Sequence, residues 1–111
     1  MPNHAALTAV FQALSDPTRR AVVERLSSGP ATVSELAEPF AMALPSFSQH
    51  LRVLEQCGLV CSRKHGRVRT YRLQSKPLRS AEQWMEKQRA QWERRLDQLD
   101  EYLMDLKEQK K

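Results

Sequence analysis

The chain has 111 residues, 41% of them hydrophobic, and a formal net charge of +5, enough for one domain over 1–111 with a modest core that gains from oligomerisation. No apolar run approaches a bilayer's thickness, residues 1–10 lack the pattern of a secretion signal, and two cysteines make no disulfide framework, so a cytoplasmic protein is predicted. Residues 1–43 carry three arginines against four acids and residues 74–111 nine bases against eight acids, while residues 44–73 carry six bases against Glu55 alone, the footprint of a polyanion partner or of a merely solvated surface.

Leu7, Val10, Phe11 and Leu14 repeat at helical spacing and predict a first helix over 4–14. Asp16 suits the N-cap of a second helix and Pro17 its first turn. Val22, Val23 and Leu26 give that helix an apolar side, and Gly29-Pro30 ends it. A short third helix opens at Ala31 or Thr32, turns Val33, Leu36, Ala37 and Phe40 to one face, and is limited by Pro39. Residues 41–43 connect it to a fourth helix over 44–56, closed by Gly58, with Phe47, Leu51 and Leu54 inward. Two β-like runs, 59–63 and 68–73, joined by Lys64-His65-Gly66-Arg67, read as a hairpin. Ser75 and Pro77 open a last helix running from about Leu78 to Lys107, on the order of 45 Å, with 107–111 frayed.

The predicted fold is mainly α with a small β-hairpin wing: a helix-turn-helix over 31–57, a wing over 58–73 and a C-terminal dimerisation helix over 75–107. A helix fits the major groove of B-DNA, where all four base pairs differ. At 100° per residue, Pro45, Ser48, Gln49 and Arg52 point away from the apolar side of the fourth helix, and Ser46 lies at the flank. Gln pairs with adenine, Ser donates to bases or phosphates, and Arg binds phosphate. The alternative is an ordinary polar helix face. His50 lies beside the apolar side, where packing with one nitrogen hydrogen-bonded and phosphate contact are both open. The wing presents Arg63, Lys64, His65, Arg67 and Arg69, with Arg67 placed for a minor groove; the alternative is protection of a sheet edge.

The last helix either covers the core of its own chain or pairs with its twin, and twin pairing is the preferred reading. Trp84, Met85, Trp92, Leu96, Leu99 and Leu103, with Leu7, Val10 and Phe11 of the first helix, are the candidate dimer contacts. Two reading helices about 34 Å apart would then match an inverted repeat. Cys57 and Cys61 are either small apolar residues or a redox switch at the junction of reading helix and wing. A protein-interaction module using the same basic face is the alternative function. No nucleophile–base pair, phosphate loop or metal cluster is legible, which argues against an enzyme.

Ala13-Leu14-Ser15-Asp16-Pro17-Thr18-Arg19-Arg20 resembles the opening signature of the ArsR family of bacterial repressors. Thr32-Val33-Ser34-Glu35-Leu36-Ala37 with Leu44 to Glu55 resembles its helix-turn-helix, and Gly58-Leu59-Val60 with Gly66 to Leu73 its wing. The resemblance covers roughly residues 5–73. It implies a dimer that binds a palindromic operator and represses transcription, in many members relieved by an inducer. The family's cysteine pair for metal sensing would fall on Thr32 and Ser34, and the last helix, where a second family metal site uses histidine, has none. The C-terminal pattern Trp84…Trp92-Glu93-Arg94-Arg95-Leu96-Asp97 is similar to a metal-independent branch, so no metal and no cofactor is expected.

Overall fold

Apolar spacing and end signals together set the first two helices. In the computed structural model, which describes residues 4–109, α1 spans His4–Leu14 and α2 spans Pro17–Leu26. Asp16 is the N-cap of α2, its carboxylate accepting from Arg19 N at 3.1 Å, with Pro17 in the first turn. The remaining elements are β1 (Ala31–Thr32), α3 (Val33–Ala37), α4 (Leu44–Gln56), β2 (Val60–His65), β3 (Val68–Leu73) and α5 (Ser75–Gln109). Two units divide the chain, one ending at Ala81 and one beginning at Glu82.

The hairpin expected from sequence is part of a three-stranded antiparallel sheet in the order β1-β3-β2. Ala31 pairs with Tyr71 and Thr32 with Thr70. Lys64 and His65, expected in the connection, belong to β2, and His65 pairs directly with Val68. The turn is therefore the two residues Gly66-Arg67, with φ +66° at Gly66 and no positive φ at Arg67. Glycine at the first central position is the type II′ pattern, whose twist matches the strands it joins.

Thr32 closes β1 and caps α3. Its hydroxyl accepts from Glu35 N at 3.2 Å while the Glu35 carboxylate accepts from Thr32 N at 3.2 Å, a capping box that satisfies two orphan donors. The α3 helix ends at Ala37, short of Phe40, whose ring instead packs tilted on Phe47 with centroids 5.4 Å apart.

The core lies within the first unit. Phe47, Leu51 and Leu54 of α4 are buried as expected, together with Val22, Leu26, Leu36, Leu59 and Val60. The α5 helix starts at Ser75, the first residue of the expected C-terminal helix over 75–107, and continues to Gln109. Lys107 to Gln109 are helical, correcting the expected frayed end, while 110–111 lie outside the described residues. Its 35 residues make a helix about 52 Å long. Among the described residues, no helix is long and apolar enough to cross a membrane.

Candidate nucleic-acid interface

The α4 helix begins without a side-chain cap: Ala43 is its N-cap and Pro45 sits in its first turn. Free N–H groups and the positive end of the helix dipole suit an anion. Around that end Pro45, Ser46, Ser48, Gln49 and Arg52 are all exposed. Leu44 is also exposed, at 57%. In the sequence Leu44 is an ordinary helix start, yet an exposed apolar group there suits a thymine methyl.

His50 is placed differently from its exposed neighbours. Its side chain is 23% exposed, and Nδ1 lies 3.2 Å from Arg19 Nη1 and 3.7 Å from Asp16 Oδ2. Guanidinium only donates, so the Arg19 contact uses Nδ1 as an acceptor, whereas the Asp16 contact uses it as the donor of a protonated ring. Arg19 also donates from Nε to Ala13 O at 2.7 Å and from Nη2 to Gln12 O at 3.0 Å. One side chain thus closes the end of α1, opens α2 and touches the reading helix. Burial pushes the Asp16 carboxyl up. The Arg19 N–H bond, the charges of His50 and Arg19, and the Thr18 N–H outweigh it and hold the group below its ordinary value.

The wing is fixed to α4 through Glu55, the one acid in the basic segment. Ser62 Oγ donates to Glu55 Oε1 at 2.9 Å, and Arg69 Nη1 donates to Ser62 Oγ at 2.8 Å. Tyr71 is buried beside Glu55; burial, then the charge and hydrogen bonding of Glu55, push its phenol up. Arg69, expected to contact DNA, is therefore partly engaged within the wing. Arg63, Lys64, His65 and Arg67 are exposed. Lys64 stands directly across from Arg69, a like-charge pair that an anion would relieve. Because β2 is an edge strand, its charges also deter pairing with other chains. Spacing in the sequence did not reveal Arg19, Glu55, Ser62 or Tyr71 as parts of this arrangement.

The cysteines are both half-buried free thiols. Cys57 caps the C-terminus of α4 and donates to Leu54 O at 3.4 Å, while Cys61 on β2 accepts from Arg72 Nε at 3.3 Å.

Of the candidate dimer residues, Leu7 and Val10 are 8% and 3% exposed. The core of their own chain takes them up, a correction that leaves them little surface for a second chain. Phe11 remains exposed, as do Trp84, Met85, Trp92, Leu96, Leu99 and Leu103. In the second unit Arg89 bridges Glu86 at 2.6 Å and Glu93 at 3.5 Å. Among the described residues, no three of His, Cys, Asp and Glu gather as a metal would require.

A helix-turn-helix domain family matches residues 14–63. The chain is 52% identical over 63 residues to the HTH-type transcriptional regulator Rv2034 of Mycobacterium tuberculosis, covering 57% of this chain and 59% of that protein. The match thus spans less than two thirds of Rv2034. With the transcriptional repressor SdpR of Bacillus subtilis it shares 37% identity over 76 residues, covering 68% of this chain and 84% of SdpR. Among solved structures, the ArsR family transcriptional regulator RHA00566 superposes with a TM-score of 0.80 and 52% identity, covering 83% of this chain and 95% of that one.

Proposed function

Since the chain belongs to the ArsR family of winged helix-turn-helix transcriptional regulators, we propose that two copies bind one inverted-repeat DNA operator in the cytoplasm and repress transcription from it. The protein acts by binding and not by catalysis. Each α4 enters a major groove by its uncapped N-terminal end. Ser46, Ser48 and Gln49 read base edges there, and Arg52 holds phosphate. Arg63, Lys64, His65 and Arg67 of the wing lie on backbone or in the adjacent minor groove. The exposed apolar face of α5, from Trp84 to Leu103, joins the two copies.

The observation that carries this reading is the coincidence, on one helix end, of open backbone donors with an exposed serine, glutamine and arginine set. The decisive experiment is selection of bound duplex from a random pool, then mobility shifts across a salt series. Gln49→Ala should remove about 1–3 kcal/mol of preference at one base pair. Arg67→Ala should weaken binding to all sequences and lower the salt slope by roughly 0.9 per half-site. If neither substitution changes DNA affinity, the docking face is wrong.

The repressor is also proposed to work without metal sensing. Thr32 is spent on the α3 cap, and α5 offers no imidazole. Zinc or arsenite that released the operator from purified protein would contradict this.

A further inference from the structure

A concavity lies within the unit that ends at Ala81. It is a cavity of about 200 Å³ lined by Ala6, Leu7 and Val10 of α1, by Cys57, and by Lys76, Pro77 and Ser80 in the first turns of α5. Its inner wall is aliphatic, since Leu7 and Val10 are buried. A dry apolar cavity of about 150 Å³ already takes up benzene, so there is room for one ring or a chain of roughly six carbons.

The polar groups sit at the rim. Lys76 and Ser80 are exposed, and the Cys57 thiol hydrogen is already donated to Leu54 O. No acid lines the cavity, and among the described residues Lys76 makes no ion pair. Lys76 also lies in the first turn of a long helix, whose positive end favours negative charge. An apolar interior with one ammonium and one hydroxyl at its mouth complements an apolar body that ends in an anion.

We propose that this cavity binds a small monocarboxylic acid, aromatic or short-chain aliphatic, with its body against Leu7 and Val10 and its carboxylate on Lys76 and Ser80. The occupant lies against the C-cap of the reading helix. The next residue, Gly58, has φ +80° and packs so near Pro77 that an added Cβ would meet Pro77 Cγ at 3.5 Å. Acid in the cavity therefore biases the junction of α4 and α5, and operator and acid change each other's affinity by one common factor. That coupling rests on the DNA-binding reading; the site itself does not.

The test is titration of the full-length protein with benzoate and hexanoate, read by ¹H–¹⁵N correlation spectra without DNA. Saturable shifts are expected at Ala6, Leu7, Val10, Cys57, Lys76 and Ser80, with Kd on the order of 0.1–1 mM for ligands of this size. Benzyl alcohol and hexanol should bind about tenfold more weakly for want of the charge-assisted contact. Lys76→Gln should bring acid and alcohol to the same affinity, and Ala6→Trp, which plugs the mouth from an exposed position, should abolish both titrations. Absence of saturable binding, equal affinity for acid and alcohol in the unmodified protein, or shifts confined to residues 82–109 would overturn the proposal. A protein that titrates with acid yet ignores duplex DNA would refute the repressor reading and leave this site standing.

Discussion

Arg19→Ala tests whether the reading helix is held by the α1–α2 junction. The side chain makes three contacts, to Ala13 O, Gln12 O and His50 Nδ1 at 2.7, 3.0 and 3.2 Å. Buried hydrogen bonds to a charged group contribute roughly 1.5–3 kcal/mol each. Here the contacts are half-buried at best, so about 0.7 kcal/mol each is appropriate, or roughly 2 kcal/mol together. For a chain of this size that lowers Tm by about 10 °C. Arg20 supplies the control, because its guanidinium makes one exposed contact, to Leu14 O at 2.8 Å, and Arg20→Ala should cost no more than about 0.5 kcal/mol. Urea unfolding of both variants gives the comparison. Imidazole ¹⁵N shifts of His50, whose Nδ1 meets Arg19, should move in Arg19→Ala alone. Equal, small effects of the two substitutions would refute the clamp.

Three further outcomes follow from the same geometry. Glu55→Ala removes a negative charge from the basic segment, so electrostatics alone would tighten DNA binding; because Glu55 ties Ser62 and Tyr71 to α4, affinity for the selected operator should instead fall about threefold to tenfold in mobility shifts. The Asp16 carboxyl is held below its ordinary value, so its contribution to stability is complete above the unfolded carboxylate range, about pH 4, and is lost as pH falls through the lower folded value; Asp16→Asn should flatten the urea midpoint across that acid window, lowering it at neutral pH and leaving it unchanged at the acid end. Leu99→Glu with Leu103→Glu should reduce the sedimenting mass from twice 12.8 kDa to 12.8 kDa and weaken operator binding, whereas an unchanged dimer mass would remove α5 from the interface.

The helices were legible where apolar period and end signals agreed. For α1 and α4 the expected bounds coincide with the observed ones, because a buried stripe and a proline or glycine boundary point to the same residues. The strand β1 was not legible, since two residues display no alternation and Thr32 also carries a helix-cap signature. Gly66 marks Lys64-His65-Gly66-Arg67 as a connection, but Lys64 and His65 pair with Arg69 and Val68, because an exposed wing pairs through its backbone and tolerates charge on both strands. The start of α5 at Ser75 agrees with the 75–107 bounds of the C-terminal helix; Pro77 lies within its first turn, where an absent N–H is no loss. The outward residues of α4 could be placed from the wheel. The clamp could not, because Arg19 and His50 are 31 residues apart and nothing local to either announces the other.

Thr32 limits how this scaffold could be converted. Installing thiolates at positions 32 and 34 is the direct route to a metal-responsive variant. The hydroxyl at 32, however, accepts from Glu35 N and donates to Glu35 Oε1 at 3.0 Å, and the Thr32 backbone N–H together with this hydroxyl holds the Glu35 carboxyl below its usual range. Sulfur is a poor substitute in that reciprocal pair, so the exchange would forfeit about 1 kcal/mol of helix-start stability. Any sensor engineered this way begins with a loosened entry into the helix-turn-helix, before an ion has arrived.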